Sequence, residues 1–274
     1  MGVEPPYGIS MSDIHPTAVI DAGAKIGRGV RIGPYSIVGP SVVLGDAVIL
    51  KAHVVVDGRT RIGAGTVIYP FASIGSSPQD LKYAGEPSQL IIGQNNTIRE
   101  YVTMNPGTAA GGLRTVIGNH CLFMVGSHVA HDCMIGSHVV LANNATLGGH
   151  VRVGDRVVIG GLAAVHQFIR IGAFAVIGGT SGVDSDVIPF GRVKGDRAYL
   201  AGLNLVGLER GGFSKQEIKT MHKALTQLFA EKGTLEERVQ QLEKNFETDA
   251  NIQRIIEFVR DRTRFGLCQP QRAI

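Results

Sequence analysis

Hydrophobic positions in this chain recur with a period of six. Starting from Ile14, aliphatic residues fall at Ile20, Ile26, Ile32, Val38, Leu44, Leu50, Val56, Ile62, Ile68 and Ile74 without a slip. Four residues after each stands something small or β-branched, as at Ala18, Val30, Ser36 and Val42, and glycine often follows the aliphatic directly. The pattern stops over Ser76 to Gln89, resumes at Ile92, Ile98 and Met104, and stops again through Pro106 to Leu113. It then runs from Ile117 through Val129, Leu147 and Val165 to Val183.

A period of six is neither helical nor a simple strand alternation. A short strand plus a sharp turn takes about six residues, and three such sides close a triangular coil of about 18. The pattern therefore predicts a mainly β protein, a parallel β-helix over residues 14–196, with loops near 76–90 and 106–114. Each aliphatic points inward and stacks on its counterpart one coil away, at the roughly 4.8 Å spacing of paired strands. Residues 1–13 form an N-terminal extension, and residues 197–274 change to helical spacing. There Ser214-Lys215-Gln216-Glu217 and Thr234-Leu235-Glu236-Glu237 read as capping boxes opening two helices, and a third follows Asp249 with Ile252, Ile255, Ile256 and Val259 on one stripe.

Composition agrees with this picture. Among 274 residues, 37 are glycine and none is Trp, which suits many tight turns around small aliphatic side chains. The net charge of +4 comes from scattered basic residues, so a nucleic-acid partner is not expected. Three cysteines without a CxxC spacing point to a reducing compartment and no zinc ribbon. No signal-peptide pattern and no apolar run of membrane-spanning length is present, so the expectation is a soluble, cytoplasmic protein.

Two loops extruded from a regular strand stack cost ordering entropy and add nothing to its core, so they are expected to reach a ligand or a neighbour. On an 18-residue coil Val129, Leu147 and Val165 stand one above another, which brings His131, His150 and His166 to one corner within about 10 Å. His128 sits on the same edge. Neutral imidazole can take a proton near neutral pH, with Asp132 or another carboxylate orienting it. Alternatively, three imidazoles could hold zinc, as in the γ-type carbonic anhydrases that share this architecture. The three-residue spacing of His128 and His131 departs from that family's pattern, and such an enzyme has no need of a long C-terminal domain.

The segments His128-Val129-Ala130-His131-Asp132-Cys133, Leu141-Ala142-Asn143-Asn144-Ala145-Thr146-Leu147 and Ala164-Val165-His166-Gln167-Phe168 follow one another at fixed distances. With Gln79-Asp80-Leu81-Lys82-Tyr83-Ala84-Gly85-Glu86-Pro87 they closely resemble the acyl-carrier-protein:UDP-N-acetylglucosamine O-acyltransferases of lipid A biosynthesis, within the hexapeptide-repeat acyltransferases. The resemblance runs from about Ile14 to about Arg264 and implies left-handed coils assembled as a homotrimer. It implies no resident metal or cofactor, the acyl donor being carried on the phosphopantetheine of acyl carrier protein. His131 is implied as general base, Asp132 as its orienting carboxylate, and the Gly149 N–H as oxyanion donor. Asp80, Lys82, His128, His150, Gln167, Asn204 and Arg210 are implied to grip the sugar nucleotide, with His166 lining the same cleft. Gly179 matches an acyl-chain length stop, and glycine there implies a chain longer than ten carbons. Val206, Gly211, Asn105 and Arg197 depart from residues common in the family. These departures raise the 3-amino analogue of the sugar nucleotide as an alternative acceptor, giving an amide.

Overall fold

The computed structural model describes residues 13–261 and 263–271. The extension expected over residues 1–13 lies, but for Asp13, outside them. Two compact units divide between His138 and Val139.

In the first unit, strands of two to four residues pair in parallel along three sides. One column runs Val38, Val56, Ile74, Met104 and Val129, each paired with the next and each fully buried. Between Val38 and Ile74 the step is 18 residues, the predicted coil; from Ile74 to Met104 it is 30, and from Met104 to Val129 it is 25. The two interruptions thus insert 12 and 7 residues, and the column closes up behind each without losing register. Each fully buried aliphatic of this kind stabilises the stack by about 1.5–3 kcal/mol relative to an exposed one. The corners require a left-handed backbone conformation, which Tyr35, His53, Phe71 and Tyr101 all adopt with φ between 57° and 65°. Their rings stack successively at 5.1–5.2 Å, which offsets part of the strain of that conformation.

In the second unit the same register holds, with Val140 on Val158, Val158 on Val176, and Leu147 on Val165. Here the repeat ends in an antiparallel hairpin of Gly191–Lys194 and Tyr199–Leu203, which hexad counting did not predict. Four helices follow: α1 (Leu205–Arg210), α2 (Lys215–Leu228), α3 (Leu235–Asn245) and α4 (Ala250–Arg260). The predicted capping boxes are both formed, and the Asp249 side chain caps α4 by accepting from the Asn251 and Ile252 N–H groups. α1 was not predicted, because six residues are too few to show a period. Among the described residues no helix is long and apolar enough to cross a membrane.

Candidate active site

His131 and Asp132 occupy the corner that follows strand His128–Val129. Asp132 takes φ +60°, a conformation that aspartate tolerates better than most residues, and this turns its carboxylate back toward the ring beside it. His131 Nδ1 lies 2.8 Å from Asp132 Oδ2. A carboxylate accepts only, so Nδ1 carries the hydrogen and Nε2 keeps its lone pair, the tautomer a general base needs. The Asp132 side chain is fully buried and that of His131 is 14% exposed.

Both interruptions bear on this pair. From residues 106–113, Thr108 donates its N–H to Asp132 Oδ1 (2.8 Å) and its hydroxyl to Oδ2 (2.7 Å). The Asp132 N–H is held in turn by Thr115 Oγ1 at 2.8 Å. From the first loop, Glu86 accepts the Ala109 N–H at 2.9 Å and the Ala84 N–H at 2.9 Å. These backbone donors, Ala109 first, hold the Glu86 carboxyl below the usual carboxylate range.

His128 is hydrogen-bonded through Nδ1 to Thr103 Oγ1 at 2.7 Å, its neighbour in the strand pairing. Burial, and then the proximity of His131, lowers its pKa below the ordinary imidazole value. Asn105 latches the start of the first loop, donating Nδ2–H to the Ser76 and Ser77 carbonyls at 3.0 and 3.3 Å. Asp80 folds that loop's tip by accepting the Lys82 N–H, and leaves the Lys82 side chain exposed. Leu81 beside it is wholly exposed.

In the second unit the His150 ring lies flat on Phe168, one coil on, with centroids 4.3 Å apart. His166 Nδ1–H donates to the Gln167 carbonyl at 3.0 Å, and its ring meets Phe265. Arg264 lies over the rings of both Phe168 and Phe265. The Gly149 carbonyl accepts the Phe168 N–H, and Gly149 itself is buried. A Cβ at Gly179 would stand 3.2 Å from the Gly161 carbonyl oxygen, so only hydrogen fits there without displacement. The Asn204 side chain is engaged within the fold, capping α1 at Gly207 and donating to the Phe174 carbonyl. Arg210 and Val206 are exposed on that helix, and a side chain at Gly211 would meet the Phe174 ring at 2.9 Å.

Sequence reasoning singled out His131 and Asp132 but not Thr108, Thr115, Thr103 or Phe168. A threonine in a polar loop or strand carries no signal of its own, and only the register shows what it touches.

Two family models match this chain. The model described as UDP N-acetylglucosamine O-acyltransferase, domain 2, covers residues 186–268, and the bacterial transferase hexapeptide model covers residues 23–58 and 114–149. The acyl-[acyl-carrier-protein]--UDP-N-acetylglucosamine O-acyltransferase of Rickettsia canadensis is 54% identical over 260 residues, 95% of this chain and 98% of its own. That of Caulobacter vibrioides is 53% identical over 261 residues, 95% and 99% of the two chains. A crystal structure of a UDP-N-acetylglucosamine acyltransferase superposes with a TM-score of 0.91 at 40% identity, covering 95% of this chain and all of that one. The Acinetobacter baumannii LpxA structure gives 0.90 at 40% identity, covering 93% and 99%.

Proposed function

Because this chain belongs to the UDP-N-acetylglucosamine O-acyltransferase family, we propose that it moves a 3-hydroxyacyl group from acyl carrier protein to the 3-hydroxyl of UDP-N-acetylglucosamine, the first step of lipid A biosynthesis. The observation that carries the mechanism is the buried His131–Asp132 contact, which leaves His131 Nε2 as the proton acceptor.

His131 Nε2 removes the proton of the sugar 3-hydroxyl as its oxygen attacks the thioester carbonyl carbon. The tetrahedral intermediate carries an oxyanion, for which the Gly149 N–H is the proposed donor. Collapse breaks the C–S bond, and the imidazolium gives its proton to the departing phosphopantetheine thiolate, which leaves as the thiol. Asp132 keeps the ring in the correct tautomer through both transfers. Lys82 and Arg210 supply positive charge for the diphosphate. Asp80, His128, His150, His166 and Gln167 complete the proposed sugar-nucleotide contacts, and Asn204 holds the helix that carries Arg210. Gly179 leaves room for a chain longer than ten carbons. No resident metal or cofactor enters this scheme, the acyl group arriving on its carrier.

Assembly as a homotrimer in the cytoplasm is part of the same proposal. It is supported by apolar side chains that stand exposed in the first unit, Val19, Ile37, Tyr35, Phe71 and Tyr101 among them.

The test is mass spectrometry of product from purified protein given a ladder of 3-hydroxyacyl carrier proteins and both the 3-hydroxyl and 3-amino acceptors. Acyl-sugar nucleotide is expected from the 3-hydroxyl acceptor, and His131→Asn should lower its rate about 100-fold to 10,000-fold. An undiminished rate in that variant would remove His131 from the chemistry.

A further inference from the structure

Between Met104 and Ile117 the chain takes 13 residues where an uninterrupted side of the prism takes six. Those extra residues bury no apolar side chain in the column. Beside Pro106 and Gly107 they bury the polar Thr108, 3% exposed, whose N–H and hydroxyl go to the two oxygens of one carboxylate, that of Asp132. Oδ2 is the oxygen that also receives His131 Nδ1, so the hydroxyl of Thr108 and the imidazole share one acceptor. A carboxylate held at both oxygens by one residue cannot rotate about its Cβ–Cγ bond without losing two hydrogen bonds.

A second feature of the same loop closes the other direction. Gly111 lies so close that a Cβ built on it would overlap the Asp132 carboxyl carbon and both its oxygens. Its backbone is in an ordinary region, with no positive φ, so glycine is required here for proximity and not for conformation. The loop that carries both residues is itself braced. The Gly111 and Leu113 N–H groups both donate to the Thr108 carbonyl, at 3.1 and 2.9 Å. Glu86 of the first loop receives Ala109 N–H, at the start of the 3-10 turn Ala109–Gly111.

We propose that residues 106–113 are a clamp on the catalytic pair, in which Thr108 is a positioning residue that fixes the Asp132 carboxylate toward His131 Nδ1 and Gly111 is the gap that lets the clamp close. This rests on the reading of His131 as the base, and it adds a residue that works only through Asp132. The first loop joins the same device through Glu86, which couples the two interruptions.

The test is a double-mutant cycle on the full-length enzyme. Thr108→Val keeps the shape and the backbone donor but removes the hydroxyl. It is expected to lower kcat about tenfold to a hundredfold, the worth of one charge-assisted hydrogen bond, with KM for both substrates little changed. Thr108→Ser should recover most of the loss. In an Asp132→Asn background Thr108→Val should cost nothing further, since the residue through which it acts is already disabled. Gly111→Ala, which leaves every hydrogen-bonding group in place, should lower kcat comparably by displacing the carboxylate. Wild-type kcat in Thr108→Val or in Gly111→Ala overturns the proposal, and so do losses from Thr108→Val and Asp132→Asn that multiply. His131→Asn run alongside separates the two readings: activity there defeats the assignment of the base, whereas its loss beside an intact Thr108→Val defeats the clamp alone.

Discussion

At the scale of single residues, His128 shows how the edge of the prism controls charge. Its ring is held by Thr103 and largely removed from water, and a second imidazole stands close by, so the charged form is disfavoured in the folded protein. The sign of the consequence follows from linkage. As pH falls through the ordinary imidazole value of about 6.5, the unfolded chain takes up the proton before the folded chain does. Stability fully present above that value is therefore lost as pH falls toward the folded-state pKa, and the loss ends below it. Denaturant midpoints measured between about pH 8 and pH 5 should decline in the wild type and decline less in His128→Gln. Because the chain has nine histidines, the difference between the two curves is the informative quantity. Parallel curves would mean that His128 protonates as readily folded as unfolded.

At the scale of elements, the segment that returns from α4 is fastened to the strands of the second unit by one buried cluster. Arg170, 7% exposed, donates through Nε and Nη2 to Asp186 Oδ2 at 3.0 and 2.9 Å, and its Nη2 also reaches the Phe258 carbonyl. Thr263 adds a hydroxyl to the same Asp186 oxygen. The Arg170 contact to Asp261 ends on a carboxylate 74% exposed, so solvent screens it and its share is small. Removing the guanidinium alone leaves Asp186 buried without its counter-charge. Arg170→Met should accordingly destabilise the protein by about 3–5 kcal/mol. Chemical denaturation of the second unit, followed by circular dichroism, checks this; a shift below about 1 kcal/mol would show that Asp186 is satisfied by its remaining donors. This cluster was not legible in the sequence, since the two residues face each other on successive coils 16 apart, off the 18-residue step, and neither breaks the hexad pattern. The repeat itself was legible because inward positions accept only Ile, Val, Leu or a near equivalent. The helix starts at Ser214, Thr234 and Asp249 were legible because capping chemistry is local. Asn204 illustrates the opposite case: family resemblance marks it for substrate, and the structure commits its side chain to a cap that no sequence period announces. Thr108 stayed hidden for a related reason, as its partner is 24 residues away and is reached only because the interruption folds back.

At the scale of the whole molecule, the exposed apolar side chains of the first unit call for a partner surface. Val19 and Ile37 are paired neighbours on one outer face, 54% and 43% exposed, and the ladder of Tyr35, Phe71 and Tyr101 projects from corners of the same unit. Exposed apolar side chains paired and stacked in this way mark an interaction surface. Closed homo-oligomers cover such patches with copies of themselves, and the proposed assembly is a homotrimer. Light scattering on the purified protein should therefore give three times the chain mass of 29.1 kDa. Because Val19 and Ile37 face outward and contribute nothing to the inner column, replacing both with lysine should leave the far-ultraviolet spectrum of the prism intact while reducing the particle to a single chain. A wild-type monomer would contradict the assembly itself, whereas a trimer that survives both lysines would place the contact on a different face. Acyl transfer measured on the lysine variant then separates two roles for the neighbour. Rates that fall with the mass mean that a second copy completes each site, and rates that persist mean that the prism alone suffices for the chemistry.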